Sequence, residues 1–208
     1  EATLAMQNRI DCLKADLQSL HPEAVFSSAN PKMQRTLEMA RQVADSEAVV
    51  LLRGESGTGK TMLARAIHNW SRRAEFPLGI ISCPTLTPEL LSSELFGHMK
   101  GAFTGAVRDS AGRVAACDHG TLFLDEIGDM DMNMQVKLLR FIQDHEYERV
   151  GGTETLRADV RIIAATNMDL EEAVRQKKFR EDLFYRLNVF QLEIPPLRER
   201  PEDIETLA

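Results

Sequence analysis

Eight consecutive residues, Gly54-Glu55-Ser56-Gly57-Thr58-Gly59-Lys60-Thr61, have the spacing G-x-x-x-x-G-K-[ST]. The chemistry of such a run is phosphate binding. Glycines let successive backbone N–H groups turn inward around phosphate oxygens. A lysine reaches the terminal phosphates, and a hydroxyl can ligate Mg²⁺. The run needs a strand before it and a helix after it, and both are legible. Ala48–Leu52 is a short valine-rich apolar run of buried-strand type, and Met62, Leu63, Ala66 and Ile67 continue at helical spacing.

A second group of polar residues closes other apolar runs. Asp125-Glu126 follow the strand-like Leu122–Leu124 within Gly120–Glu126, at the end of a strand where open α/β sheets bind ligands. Asp125 is placed to hold a metal shell and Glu126 to orient water, which points to hydrolysis rather than transfer to a metabolite. Val160–Ala165 is a third apolar run and ends in Thr166-Asn167. Asn167 either bonds the attacking water or caps a helix over Asp169–Val174. Arg180 and Arg186 share a short helical segment, Phe179–Arg186, and fit plain surface charge as well as arginine fingers that reach a neighbour's γ-phosphate.

The remaining chain supplies elements to hold these groups. Asn30 before Pro31 starts a helix over Pro31–Ala44. Phe190–Ile194 reads as a further strand before Pro195-Pro196, and Leu197–Ile204 as the opening of another helix. Met6, Ile10, Leu13, Leu17 and Leu20 are spaced as a heptad seam that His21-Pro22 ends. The seam fits a dimer-forming linker and an amphipathic helix packed on its own domain equally well. The organisation expected is therefore a linker helix over residues 1–22, the tail of a longer linker, and an α/β domain over 23–208.

Composition narrows the class. With 25 basic against 32 acidic residues the net charge is −7, which argues against this segment reading nucleic acid through a basic face. No apolar run approaches the ~18 residues of a membrane span. Cys12, Cys83 and Cys117 form no metal spacing and no disulfide framework, and a reducing cytoplasm is the simplest compartment.

One stretch has no role in nucleotide chemistry. Glu94–Ala106 ends in Gly101-Ala102-Phe103-Thr104-Gly105-Ala106, one bulky ring between glycines. Glycine weakens regular elements, so Phe103 is expected at or near the tip of a mobile loop. There it grips a partner, or it folds back on the core as part of a surface turn; the residues alone favour neither.

Taken together, Gly54–Thr61, Glu94–Ala106, Gly120–Glu126, Ala164–Asn167, Phe179–Arg186 and Pro195–Arg200 resemble the central AAA+ domain of sigma-54-dependent transcription activators, the NtrC-type bacterial enhancer-binding proteins. The resemblance covers roughly residues 24 to 208, and the hexapeptide is its most specific part. It implies a P-loop AAA+ α/β subdomain: a mostly parallel five-stranded sheet between helices, with the helical lid expected beyond Ala208. It implies ATP and Mg²⁺ as ligands, with Thr61 and Asp125 on the metal and Lys60, Asp125, Glu126 and Asn167 in hydrolysis. Arg180 and Arg186 match the family's fingers, donated to the adjacent subunit of a hexameric or heptameric ring. Gly101–Ala106 would engage the sigma-54 factor in RNA polymerase holoenzyme, and Arg149–Thr155 would be a second loop beside it. DNA would be bound only by a domain outside this chain.

The resemblance has two departures. Most of the family has Glu at the position of Thr61, and many members have Asn at that of Ser82, whose shorter side chain weakens any coupling to Glu126. The wording around His68–Ser71 and Ser82–Leu86 is similar to the alginate-regulator branch of response regulators. Two other readings are a AAA+ remodeller with another target, opposed by the hexapeptide, and a binding scaffold with a purely structural nucleotide site, opposed by Lys60, Asp125, Glu126 and Asn167.

Overall fold

The computed structural model describes residues 28–203. The heptad seam of Met6–Leu20 lies outside the described residues. Helix α1, Pro31–Ala44, begins as its residues dictate: Asn30 is extended and its side-chain oxygen accepts the N–H groups of Lys32 and Met33 at 3.0 and 3.3 Å. Strand β1, Val50–Arg53, leads through the glycine-rich loop into α2, Lys60–Trp70.

Next come β2, Leu78–Ser82, and α3, Pro88–Phe96, then the short α4, Gly112–Ala116, and β3, Thr121–Asp125. Helix α5, Met132–Asp144, is capped by Asp131. A small antiparallel pair, β4 (Glu146–Tyr147) and β5 (Leu156–Arg157), precedes β6, Arg161–Thr166. Two short helices, α6 (Leu170–Arg175) and α7 (Glu181–Leu187), lead to β7, Phe190–Glu193.

The main sheet has five strands in the order β2-β3-β6-β1-β7, and every pairing is parallel. Successive side chains of a strand face opposite ways, and the two faces bury separate clusters. Val50, Leu52, Phe123, Ile163, Ala165 and Leu192 pack under α1 and α2. Leu51, Leu122, Leu124, Ile162 and Ala164 pack on the other side against α3, α5 and α7. Both faces of the sheet are therefore covered, as parallel sheets require. Arg161 is buried in this setting because its guanidinium donates to the Val43 and Ala44 carbonyls at 2.7 and 2.6 Å, at the negative end of α1.

The helix expected from Leu197 is instead two 3₁₀ turns, Leu197–Glu199 and Pro201–Asp203. Pro201 has no N–H to continue a helix begun at Leu197, and Arg200 takes a non-helical conformation.

Candidate functional site

Strands β3, β6 and β1 are neighbours, so the groups that follow them share one edge of the sheet. Gly54–Thr61 leaves β1, Asp125 ends β3 and Thr166 ends β6. Gly59 has φ +94° as the N-cap of α2, where an L side chain would be strained, and a Cβ on Gly54 would come within 2.8 Å of the Thr58 hydroxyl. Lys60 is buried. Its Nζ donates to the carbonyls of Gly54 and Glu55 at 3.0 and 3.2 Å and pairs with Glu126 Oε1 at 2.9 Å.

Glu126 sits in left-handed backbone at φ +52°. Its N–H donates to Asp125 Oδ1 at 3.1 Å, and its Oε2 accepts the N–H of Asn167 at 2.9 Å. The Asn167 backbone thus fixes the Glu126 carboxylate, while Asp169 caps α6 in its place, accepting the N–H of Glu172 at 3.0 Å. The Ser82 Cα lies level with that of Asp125 on the neighbouring strand. The carboxylate of Glu126 is held by Lys60 and Asn167 rather than by Ser82.

Burial, and then the charge of Glu126, push the Asp125 carboxyl above the ordinary carboxylate value, against the pull of Lys60 and the Glu126 N–H. The same surroundings push the buried Cys83 thiol up to about 12, leaving it protonated and inert. Because the Asp125 value is raised on folding, the native state binds its proton more tightly than the unfolded chain does. Ionisation therefore weakens the fold as pH rises through the window above the ordinary aspartate value. Asp125→Asn is expected to raise the Tm at neutral pH, read by calorimetry; an unchanged or lower Tm contradicts this.

Among the described residues no cluster of three or more His, Cys, Asp or Glu is arranged to hold a metal. The donors here suit a different arrangement: two adjacent carboxylates face one ammonium, beside the partly buried Thr61. A hard divalent cation that takes one or two protein oxygens plus phosphate fits this set.

The segment after β7 closes over the phosphate loop, which the motifs alone do not reveal. Arg198 forks onto Glu55, both contacts at 2.7 Å. Arg200 is buried and donates to the Thr58 carbonyl at 2.6 Å, with Asp203 3.9 Å away. Asp203 in turn accepts the Ser28 hydroxyl at 2.6 Å and the Ala29 N–H at 3.1 Å. The start of the described chain, its end and the phosphate loop are thereby tied together.

The Gly101–Ala106 stretch is a compact hairpin. His98 and Ser110 exchange both backbone hydrogen bonds at 3.0 and 2.8 Å, and Gly101 N–H donates to Ala106 O at 2.8 Å. Phe103 stands at the turn of this hairpin and is half-buried. Its ring packs edge-on against His98, centroids 5.1 Å apart, while Thr104 and Gly105 are exposed and Ala106 is buried. The ring is half-covered there because His98, itself fixed by Ser93 at 2.7 Å, offers it a partner. The Arg149–Thr155 loop, between β4 and β5, lies alongside: Met99 N–H donates to Val150 O at 3.0 Å, and Val150 N–H to Gly97 O at 2.9 Å.

Arg180 and Arg186 are carried at opposite ends of α7. Arg180 is its N-cap and forks onto Asp182 at 3.0 and 2.7 Å, and Arg186 is exposed in its last turn. Among the described residues, no helix is long and apolar enough to cross a membrane.

Comparison with known proteins gives the same picture. The family model described as the sigma-54 interaction domain matches residues 26–193. The chain is 58% identical over 200 residues to the alginate biosynthesis transcriptional regulatory protein AlgB of Pseudomonas putida, covering 96% of this chain and 44% of that protein. It is also 58% identical over 179 residues to the Nif-specific regulatory protein of Klebsiella pneumoniae, covering 86% of this chain and 34% of that one. The chain thus spans less than half the length of these relatives. Among solved structures, NtrX of Brucella abortus in complex with ATP is similar at a TM-score of 0.82 and 35% identity, over 98% of this chain and 47% of that one. With the match running from before α1 to the last strand of the sheet, the chain belongs to the sigma-54 interaction domain family, on a P-loop AAA+ α/β fold.

Proposed function

We propose that this chain is the ATP-hydrolysing domain of a transcription activator, which remodels sigma-54 RNA polymerase holoenzyme through Gly101–Ala106. The observation that carries the reading is the convergence of Lys60, Asp125, Glu126 and Asn167 at one sheet edge. The complexes of NtrX with ATP and ADP support the ligand. ATP lies with its phosphates in Gly54–Thr61, within reach of the Lys60 ammonium. Thr61 and Asp125 would hold Mg²⁺, which would supply charge neutralisation at the phosphates. Phosphate competes with Glu126 for Lys60, and the carboxylate so released orients a water.

The water oxygen bonds to the γ-phosphorus as the bond to the bridging oxygen of ADP breaks. Glu126 draws off the water's proton, and the products are ADP and phosphate. Arg180 or Arg186 of an adjacent subunit neutralises the transferring group, which requires a hexameric or heptameric ring. The ring works in the cytoplasm, and any DNA contact is made by another domain of the full-length protein.

Thr104 is exposed on the hairpin and far in role from the chemistry. Thr104→Val in the full-length protein is expected to leave ATPase within about twofold, as for a surface change outside a catalytic site, and to abolish open-complex formation at a sigma-54 promoter. Unchanged ATPase together with unchanged open complexes would overturn the assignment of the loop.

A further inference from the structure

Gln135 is fully buried, on α5, and none of the chemistry above uses it. Burying a primary amide is costly unless its hydrogen bonds are made. Here they are made entirely with backbone. Nε2 donates to the Met130 carbonyl at 2.7 Å and to the Lys178 carbonyl at 3.1 Å, and Oε1 accepts the N–H of Arg180 at 2.8 Å. Two of the three bonds thus bracket Phe179, whose side chain is buried in the core. The third reaches the turn by which the chain leaves Asp125-Glu126 and enters α5.

We infer that Gln135 is a positioning residue for Arg180, setting where its guanidinium stands for the neighbouring subunit; this rests on the finger role proposed above. Every other backbone tie of Arg180 is local. Its carbonyl accepts the N–H of Phe184 at 3.0 Å in the first turn of α7, and its side chain rests on Asp182. Among the described residues, Gln135 alone fixes the N–H of Arg180 to a distant element. An amide suits the task because it offers an acceptor to Arg180 and donors to Lys178 and Met130 at once. Leucine offers neither, and glutamate lacks the donors. The same side chain joins the exit of one subunit's carboxylate pair to the finger serving the next site.

Because a finger acts in trans, a defect in its placement differs from a general packing defect in mixed rings. In the full-length protein, Gln135→Met is expected to lower ring ATPase by at least about tenfold, since misplacement of a catalytic group by 1 Å costs on the order of 100-fold. Binding of a non-hydrolysable ATP analogue should stay within about threefold, because Gln135 bonds neither Gly54–Thr61 nor the Asp125 and Glu126 side chains. Mixing Q135M with E126Q subunits should restore activity, because E126Q subunits bring an intact finger to the intact site of Q135M. R180A mixed with E126Q is the control and should behave alike. Recovery with R180A but not with Q135M overturns the inference and leaves the finger reading standing. If neither mixture recovers, the finger assignment of Arg180 fails first and takes the inference with it. Full ATPase in Q135M alone also overturns it. Should Q135M not fold, Q135L, which likewise lacks the acceptor for the Arg180 N–H, carries the same mixing test. Failure of both to fold assigns Gln135 to stability alone and overturns the inference.

Discussion

Arg180→Ala is expected to lower the kcat of assembled rings by about 10³–10⁵-fold, the range by which an arginine finger accelerates phosphoryl transfer. Its effect on the fold should be small. The guanidinium is held by Asp182 in an exposed pair, and such pairs contribute little to stability. The measurement is steady-state ATPase against the thermal midpoint of the same preparation. A large kinetic loss with an unchanged midpoint identifies a catalytic rather than a structural group, and recovery on mixing with E126Q subunits places its action outside its own subunit. Arg180→Lys is expected to rescue little, because one ammonium cannot reproduce a planar fork. If Arg180→Ala retains its rate and Arg186→Ala loses it, Arg186 is the finger.

Glu126→Gln is expected to reduce kcat by about 10²–10⁴-fold, the usual contribution of a positioned general base. Nucleotide binding should be retained or strengthened. In the wild-type chain Lys60 pairs with Glu126 at 2.9 Å, and the amide removes that competing charge. A glutamine oxygen can still accept the Asn167 N–H, so the local backbone is preserved. Titration with ATP and a phosphate-release assay separate the two effects. A variant that hydrolyses ATP at the wild-type rate removes Glu126 from the mechanism, and a wild-type protein with no hydrolysis returns the site to a structural role.

Much of this arrangement is legible in the residues because it is local. Gly54–Thr61 carries its own glycines, lysine and helix start, and Asp125-Glu126 and Asn167 close apolar runs that become β3 and β6. Asn30-Pro31 begins α1 where capping chemistry places it. The strand β2 and the helices α3 and α5 are not apparent by the same means. β2 contains Gly79 and is only alternately buried, and α3 has serines among its leucines. What local patterns cannot carry is partnership at a distance. Arg198 and Arg200 look like surface charge until their bonds to Glu55 and Thr58 are seen. Gln135 looks like a polar helix residue until its amide is followed to Arg180. Phe103 is half-covered for the same reason: His98 is close in sequence, but its orientation depends on Ser93.

The order of strands in the sheet has a bearing on how the chain is made. β1 carries the phosphate loop and pairs on one side with β6 and on the other with β7, both of which come much later in the chain. During synthesis, at about 5–20 residues per second, Val50–Arg53 therefore waits several seconds with both edges unpaired. An apolar strand in that condition is a template for wrong pairing, and its brevity limits the hazard. Closure of the loop waits longer still, because Arg198 and Arg200 follow β7. Pairings of such long sequence separation also fold slowly. The phosphate loop is thus among the earlier parts of this domain to leave the ribosome and among the last to acquire its shape.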